Sequence, residues 1–128
     1  MEQNVMLSAL VQVKRMGNLL NEVQDLSRQL AEAIDRDDRV SVEMLAGLRR
    51  EPIDKLTDAK RVLAEQTGAL PEEEGRRLAA LLDGAPAEEE SERMLADLVA
   101  ANRRRLDQVL ALDKTLNLKL TREKSVYQ

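Results

Sequence analysis

The sequence predicts an all-α protein: an elongated, antiparallel three-helix bundle of coiled-coil character, with one additional short helix in the connection before the last long helix. Three observations carry this. Apolar residues recur at steps of three and four over most of the 128 residues. Aromatic residues are almost absent, Tyr127 standing alone without any Phe or Trp, so burial rests on Leu, Val, Ile, Met and Ala, a palette suited to helix-on-helix packing. Turn signals, "DRDD", "GALP" and "GAP", fall between the periodic segments.

The first helix is predicted over about 3–36, with a seam through Ala9, Val13, Met16, Leu20, Val23, Leu30 and Ile34. Ser27 is the one polar member of that seam. Leu10, Leu19 and Leu26 widen it enough to meet two neighbours. "DRDD" then supplies aspartates that can cap the second helix, predicted over 39–67 with Leu45, Leu48, Pro52, Leu56, Ala59 and Leu63 on one face and Ile53 beside it. Proline inside that stripe removes a backbone donor and collides with the carbonyl of Leu48, so a kink is expected near 48–52, where Gly47 weakens the same turn. Gly47 and Pro52 together are a candidate hinge.

"GALP" ends the second helix and opens a short third one over 72–83, whose first-turn glutamates complement the helix dipole and whose apolar side is Leu78, Leu81 and Leu82. Gly84 stops it. The last helix is predicted over 87–124, with Leu95, Leu98, Val99, Asn102, Leu106, Val109, Leu112, Leu116 and Leu120 on one broad face. Within it, "TLNLKLT" sets leucine at every second position, as in a strand. Leu116 and Leu120 continue the helical stripe, and a lone strand would leave its backbone groups unpaired, so helix with an exposed Leu118 is the better reading.

A single domain of this length can bury a modest core. Cysteine and histidine are both absent, which removes disulfides, thiolate metal sites, a cysteine nucleophile and the side chain best suited to proton transfer near neutral pH. No cofactor or metal is expected, and no enzyme activity. The net charge of −4 argues against general nucleic-acid binding. Residues 101–128 are nevertheless basic, with Arg103, Arg104, Arg105, Lys114, Lys119, Arg122 and Lys124 against Asp107, Asp113 and Glu123. No aromatic residues interleave them for base stacking. The start lacks the charge order of a signal peptide, and no stretch approaches the ~20 apolar residues of a membrane span, so a cytoplasmic protein without membrane insertion is expected.

Among candidate sites, the glutamates at 72–74 and 88–90 diverge around their helices and read as helix-start electrostatics. Arg103, Arg104 and Arg105 diverge likewise and form either a solvated face or an electrostatic anchor for an acidic partner. Asn102 in the apolar stripe suits a register-fixing role. Leu112, Leu116, Leu118, Leu120, Val126 and Tyr127 offer apolar groups on more than one side of the last helix, the pattern of a helix that is buried or binds something. Such a helix can capture a partner's amphipathic helix in a groove.

The stretches "LLNEVQDLSRQLAEAIDRDD", "LRREPIDKLTDAKRVLAEQTGAL" and "VLALDKTLNLKLTREKSVY" resemble the FlgN-type export chaperones of the flagellar type III secretion system, over nearly the full chain. The resemblance implies a chaperone that binds the C-terminal helices of hook-associated proteins and keeps them ready for export. It places partner binding on Leu112, Leu116, Asn117, Leu118, Leu120 and Tyr127. Two rival readings remain. One is a structural coiled-coil adaptor that forms a homodimer through the same stripes. The other is an all-helical enzyme of the chorismate mutase kind, which "LRREPIDKL" invites, although Arg49, Arg50, Lys55, Lys60 and Arg61 read as spread along the outer side of the second helix.

Overall fold

Among the described residues, four stretches wind into α-helices: α1 over Gln3–Asp35, α2 over Arg39–Gly68, α3 over Glu72–Leu82 and α4 over Arg93–Val126. A 3-10 turn at Glu90–Glu92 leads into α4. The computed structural model describes the backbone of residues 2–126 and the side chains of residues 2–122; among these residues there is no strand. "TLNLKLT" lies wholly within α4. The candidate partner residues Val126 and Tyr127 fall outside the described side chains.

Two turns set the helix ends by the same device. After α1, Asp37 takes up a left-handed conformation with φ 58°, and the Asp38 and Asp37 amides reach back to the carbonyls of Ala33 and Ile34 at 3.0 Å each. After α3, Gly84 does the same with φ 102°, its own amide bonding Leu81 and that of Ala85 bonding Ala80. Both are Schellman closures, which satisfy carbonyls left over at a helix end. Asp38 then caps α2, its carboxylate accepting from the Ser41 amide at 3.1 Å and the Ser41 hydroxyl at 2.6 Å. Those hydrogen bonds hold its pKa below the ordinary aspartate value.

α1 supplies residues to every core cluster. Met6, Ala9 and Val13 pack with Leu63 of α2, Leu78 and Leu81 of α3, and Leu95 and Val99 of α4. Leu20 and Val23 meet Val109, with Leu56 against them, and Leu30 and Ala33 meet Leu45 and Leu116. Ascending residues of α1 thus meet descending residues of α2 and ascending residues of α4. The helices pack as a bundle in which α1 lies along both α2 and α4, whereas α2 and α4 make little direct contact with one another.

Polar crosslinks fix the α1–α4 register. The Asn102 amide donates to the Val13 carbonyl at 2.8 Å, Gln24 donates to Gln108 at 2.9 Å, and Lys119 pairs with Asp35. Gly17 leaves the room for Asn102: a Cβ there would approach the Asn102 Oδ1 to 2.6 Å. Gly47, by contrast, faces open space. Gly47→Ala is therefore expected to stabilise by about 0.5–1 kcal/mol through helix propensity. Gly17→Ala, despite the same propensity gain, is expected to destabilise by about 1 kcal/mol or more, because Asn102 must leave its partner. Urea denaturation of the two variants checks both signs.

α2 is continuous as a helix through Pro52, whose ring is fully buried and so returns part of the cost of the missing donor. One expected boundary is corrected. The last helix begins at Arg93 rather than 87. Arg77 of α3 grips Glu92 with two bonds of 2.9 and 2.7 Å, and Glu92 Oε1 also accepts from the Glu88 amide at 3.0 Å. A chain held to that carboxylate runs extended at Glu89 instead of winding into a helix.

The Arg77 hydrogen bonds lower the Glu92 pKa from 4.5 to about 2. A depressed carboxylate pKa contributes stability that is complete above the unfolded value and is lost as the pH falls from about 4.5 toward 2. Glu92→Gln is accordingly expected to flatten the acid limb of a stability-versus-pH curve between pH 5 and 2, followed by urea midpoints.

Candidate functional site

Because α2 and α4 both lean on α1 without closing on each other, a seam remains between them. At 100° per residue, Leu106, Leu110, Asp113, Asn117 and Leu120 share one side of α4, and Ala46, Arg49, Arg50 and Ile53 share one side of α2. Along the seam Leu110 is 54% exposed, Leu106 44% and Ile53 37%. Leu106 belongs to the stripe that buries Leu95 and Val99, but α3, which covers those two through Leu78 and Leu81, ends at Leu82. Beyond that point Val109 and Leu116 of the stripe stay buried against α1, while Leu106 is left open.

The seam deepens into an open pocket of about 290 Å³ lined by Leu30, Ala46, Arg49, Arg50, Ile53, Asp113, Leu116, Asn117 and Leu120. Buried Leu30 and Leu116 belong to its walls. Its polar side is a chain of contacts across all three long helices. Ser27 of α1, completely buried, donates to the Val23 carbonyl at 2.6 Å and accepts from Arg49 Nε at 2.8 Å. Arg49 then pairs with Asp113 of α4 through Nη2. The Arg49 side chain is 18% exposed, and burial pushes its pKa below the ordinary arginine value. Arg50 is exposed at the rim and forms no ion pair with another described residue.

The expected partner residues separate into groups. Leu116, Asn117 and Leu120 line the pocket. Leu112 is half-buried and is not among the lining residues. Leu118 is 61% exposed and sits about 100° around α4 from Asn117, on the outer face. The three consecutive arginines do not make a common surface: Arg103 pairs with Asp83 at 3.3 Å, Arg105 donates to Asn102 at 3.0 Å, and Arg104 is exposed with no ion pair to another described residue. Of the candidate hinge, Gly47 is helical and exposed while Pro52 is buried.

Arg49, Arg50, Asp113, Ile53, Leu106 and Leu110 were not legible as site residues. Arg49 in particular does not lie on the outer side of α2. The signal that could have exposed it is Ser27, a small hydroxyl in an otherwise apolar seam, which needs a partner when buried.

A second, shallower hollow of about 190 Å³ is lined by Glu73, Glu74, Arg77, Glu88, Glu89 and Glu92. Its one cation is tied to Glu92, Glu88 and the Pro86 carbonyl, so it staples the connection before α4. Among the described residues no group of three or more carboxylates is arranged to hold a metal ion, and no helix is long and apolar enough to cross a membrane. Comparison of the chain with protein families, curated proteins and solved structures gave no match.

Proposed function

We propose that this protein is a cytoplasmic, non-enzymatic export chaperone of the flagellar type III kind, whose α2–α4 seam holds the amphipathic C-terminal helix of a hook-associated protein. In this reading the three long helices form an elongated three-helix bundle with α2 antiparallel to its neighbours, and a fourth helix of the partner lies over the gap. The observation that carries the reading is the run of exposed Leu106, Leu110 and Ile53 leading into a pocket floored by Leu30 and Leu116. Apolar residues at helical spacing along a groove are what an incoming amphipathic helix needs as anchors. Covering them removes from water a surface that would otherwise promote association.

Calorimetric titration with C-terminal peptides of hook-associated proteins tests it. Wild type is expected to bind, and Leu110→Asp or Ile53→Asp to weaken binding at least tenfold, each placing a charge in the contact. Leu118→Asp is expected to change affinity less than twofold, since Leu118 faces away from the seam. Absence of binding by all peptides, or equal loss in all three variants, would count against the reading.

A second reading, the homodimeric adaptor, draws on a different strip: Val40, Met44 and Leu48 are exposed at successive four-residue steps on the side of α2 away from the seam. Sedimentation equilibrium separates the two, the adaptor requiring a dimer that Met44→Glu dissolves.

A further inference from the structure

The pocket at the end of the seam differs from the rest of it in chemistry. Leu106 and Leu110 offer only apolar contact, whereas the pocket combines aliphatic walls, Ile53 among them, with two guanidinium groups and the amide of Asn117. Within it Arg49 is already matched by Asp113, and Arg50 is not matched by any described residue. The lining therefore carries one positive charge in excess, beside the exposed amide of Asn117. At about 290 Å³ the space lies at the low end for a ligand pocket, enough for one amino-acid-sized group.

A carboxylate is the natural complement of an unmatched guanidinium, and the pairing is strongest where the geometry allows two parallel bonds. Leu30, Leu116, Leu120, Ile53 and Ala46 require that the same group bring an aliphatic branch. A glutamate or aspartate side chain supplies the charge without the branch, and an internal leucine supplies the branch without the charge. The last residue of a chain, when aliphatic, supplies both from one Cα.

We propose that this pocket receives the C-terminal residue of the partner, its free α-carboxylate held by Arg50 with Asn117 and its aliphatic side chain lodged against Leu30, Ile53 and Leu116. The inference rests on the reading of the seam as a helix-binding groove and specifies the end of the helix that lies in it. The helix axis follows the exposed leucines of α4, and its terminus stops at the arginines of α2. The net charge of the whole protein is negative, so this local excess of positive charge gives the groove a direction that bulk attraction would not.

The test does not depend on knowing the partner. Methyl-labelled protein is titrated with N-acetyl-leucine and, separately, with N-acetyl-leucinamide, and the Leu and Ile methyl resonances are followed by NMR. N-acetyl-leucine is expected to shift the methyls of Leu30, Ile53, Leu116 and Leu120 with millimolar affinity, and the amide to bind at least fivefold more weakly. Arg50→Gln, a change at an exposed position, is expected to erase the difference between acid and amide, and Arg50→Lys to keep part of it. Equal shifts from acid and amide, or shifts confined to other methyls, would overturn the inference. The peptide calorimetry above reports on the groove separately: helix binding that persists there, with no acid–amide preference here, rejects the terminal pocket and leaves the groove.

Discussion

Shortening Leu95 to alanine is expected to lower the unfolding free energy by about 3 kcal/mol, among the largest effects of any single truncation in the bundle. Leu95 is completely buried, and it lies in the one cluster to which all four helices contribute. The cavity left behind is enclosed by a cluster drawn from four helices, so it does not collapse by moving a single side chain. Thermal unfolding followed by circular dichroism checks the effect, as a fall of about 10 °C in Tm for a chain of this size. Leu110→Ala, at an exposed site on the same helix, is expected to stay within about 0.5 kcal/mol.

Removing Arg49 is expected to cost about 2 kcal/mol, for a different reason. Arg49→Ala leaves the Ser27 hydroxyl without its donor and Asp113 without its counter-charge, both in surroundings that exclude much of the water. A fully buried pair would lose more, but the Asp113 side chain is 36% exposed and solvent screens part of the loss. Asp113→Ala is expected to cost about 1 kcal/mol, and the double variant less than the sum of the two. Urea denaturation of the four proteins gives the coupling energy directly. Strict additivity would show that the pair contributes nothing to holding α2 beside α4.

The helical class was legible because it depends on local repetition. The seam of α1 needs no knowledge of its neighbours: Ala9, Val13, Leu20, Val23, Ser27 and Leu30 are all buried where the three- and four-residue steps put them. Asn102 was legible as a polar residue in an apolar stripe, although its partner, the carbonyl of Val13, has no side-chain signature. The site was less accessible because it is made of pairings between distant residues. Arg49 and Asp113 are ordinary charges on two helices, and only the fold makes them face each other.

The same limit explains the leucines. Periodicity marked Leu106 as a core residue, and the end of α3 at Gly84 was legible too, but which turn of α4 that end lies against is a property of the assembled bundle. Leu118 stood out because it broke the repeat. Leu106 and Leu110 kept to it or close to it and are the ones left open along the seam. Pro52 shows the same limit: the steric rule sees only the helix that carries the ring, while burial of the ring is a property of the assembled bundle.

The arrangement of α1 between α2 and α4 bears on how the molecule is made. Its first helix leaves the ribosome with two sticky flanks; α2 follows at once and can sheathe one of them. The other waits for α4, and Asn102 is synthesised 89 residues after the carbonyl it bonds. At typical translation speeds that interval is on the order of ten seconds. During it the nascent hairpin carries a bare strip that only α4 can close, so the core is completed only once α4 has been made.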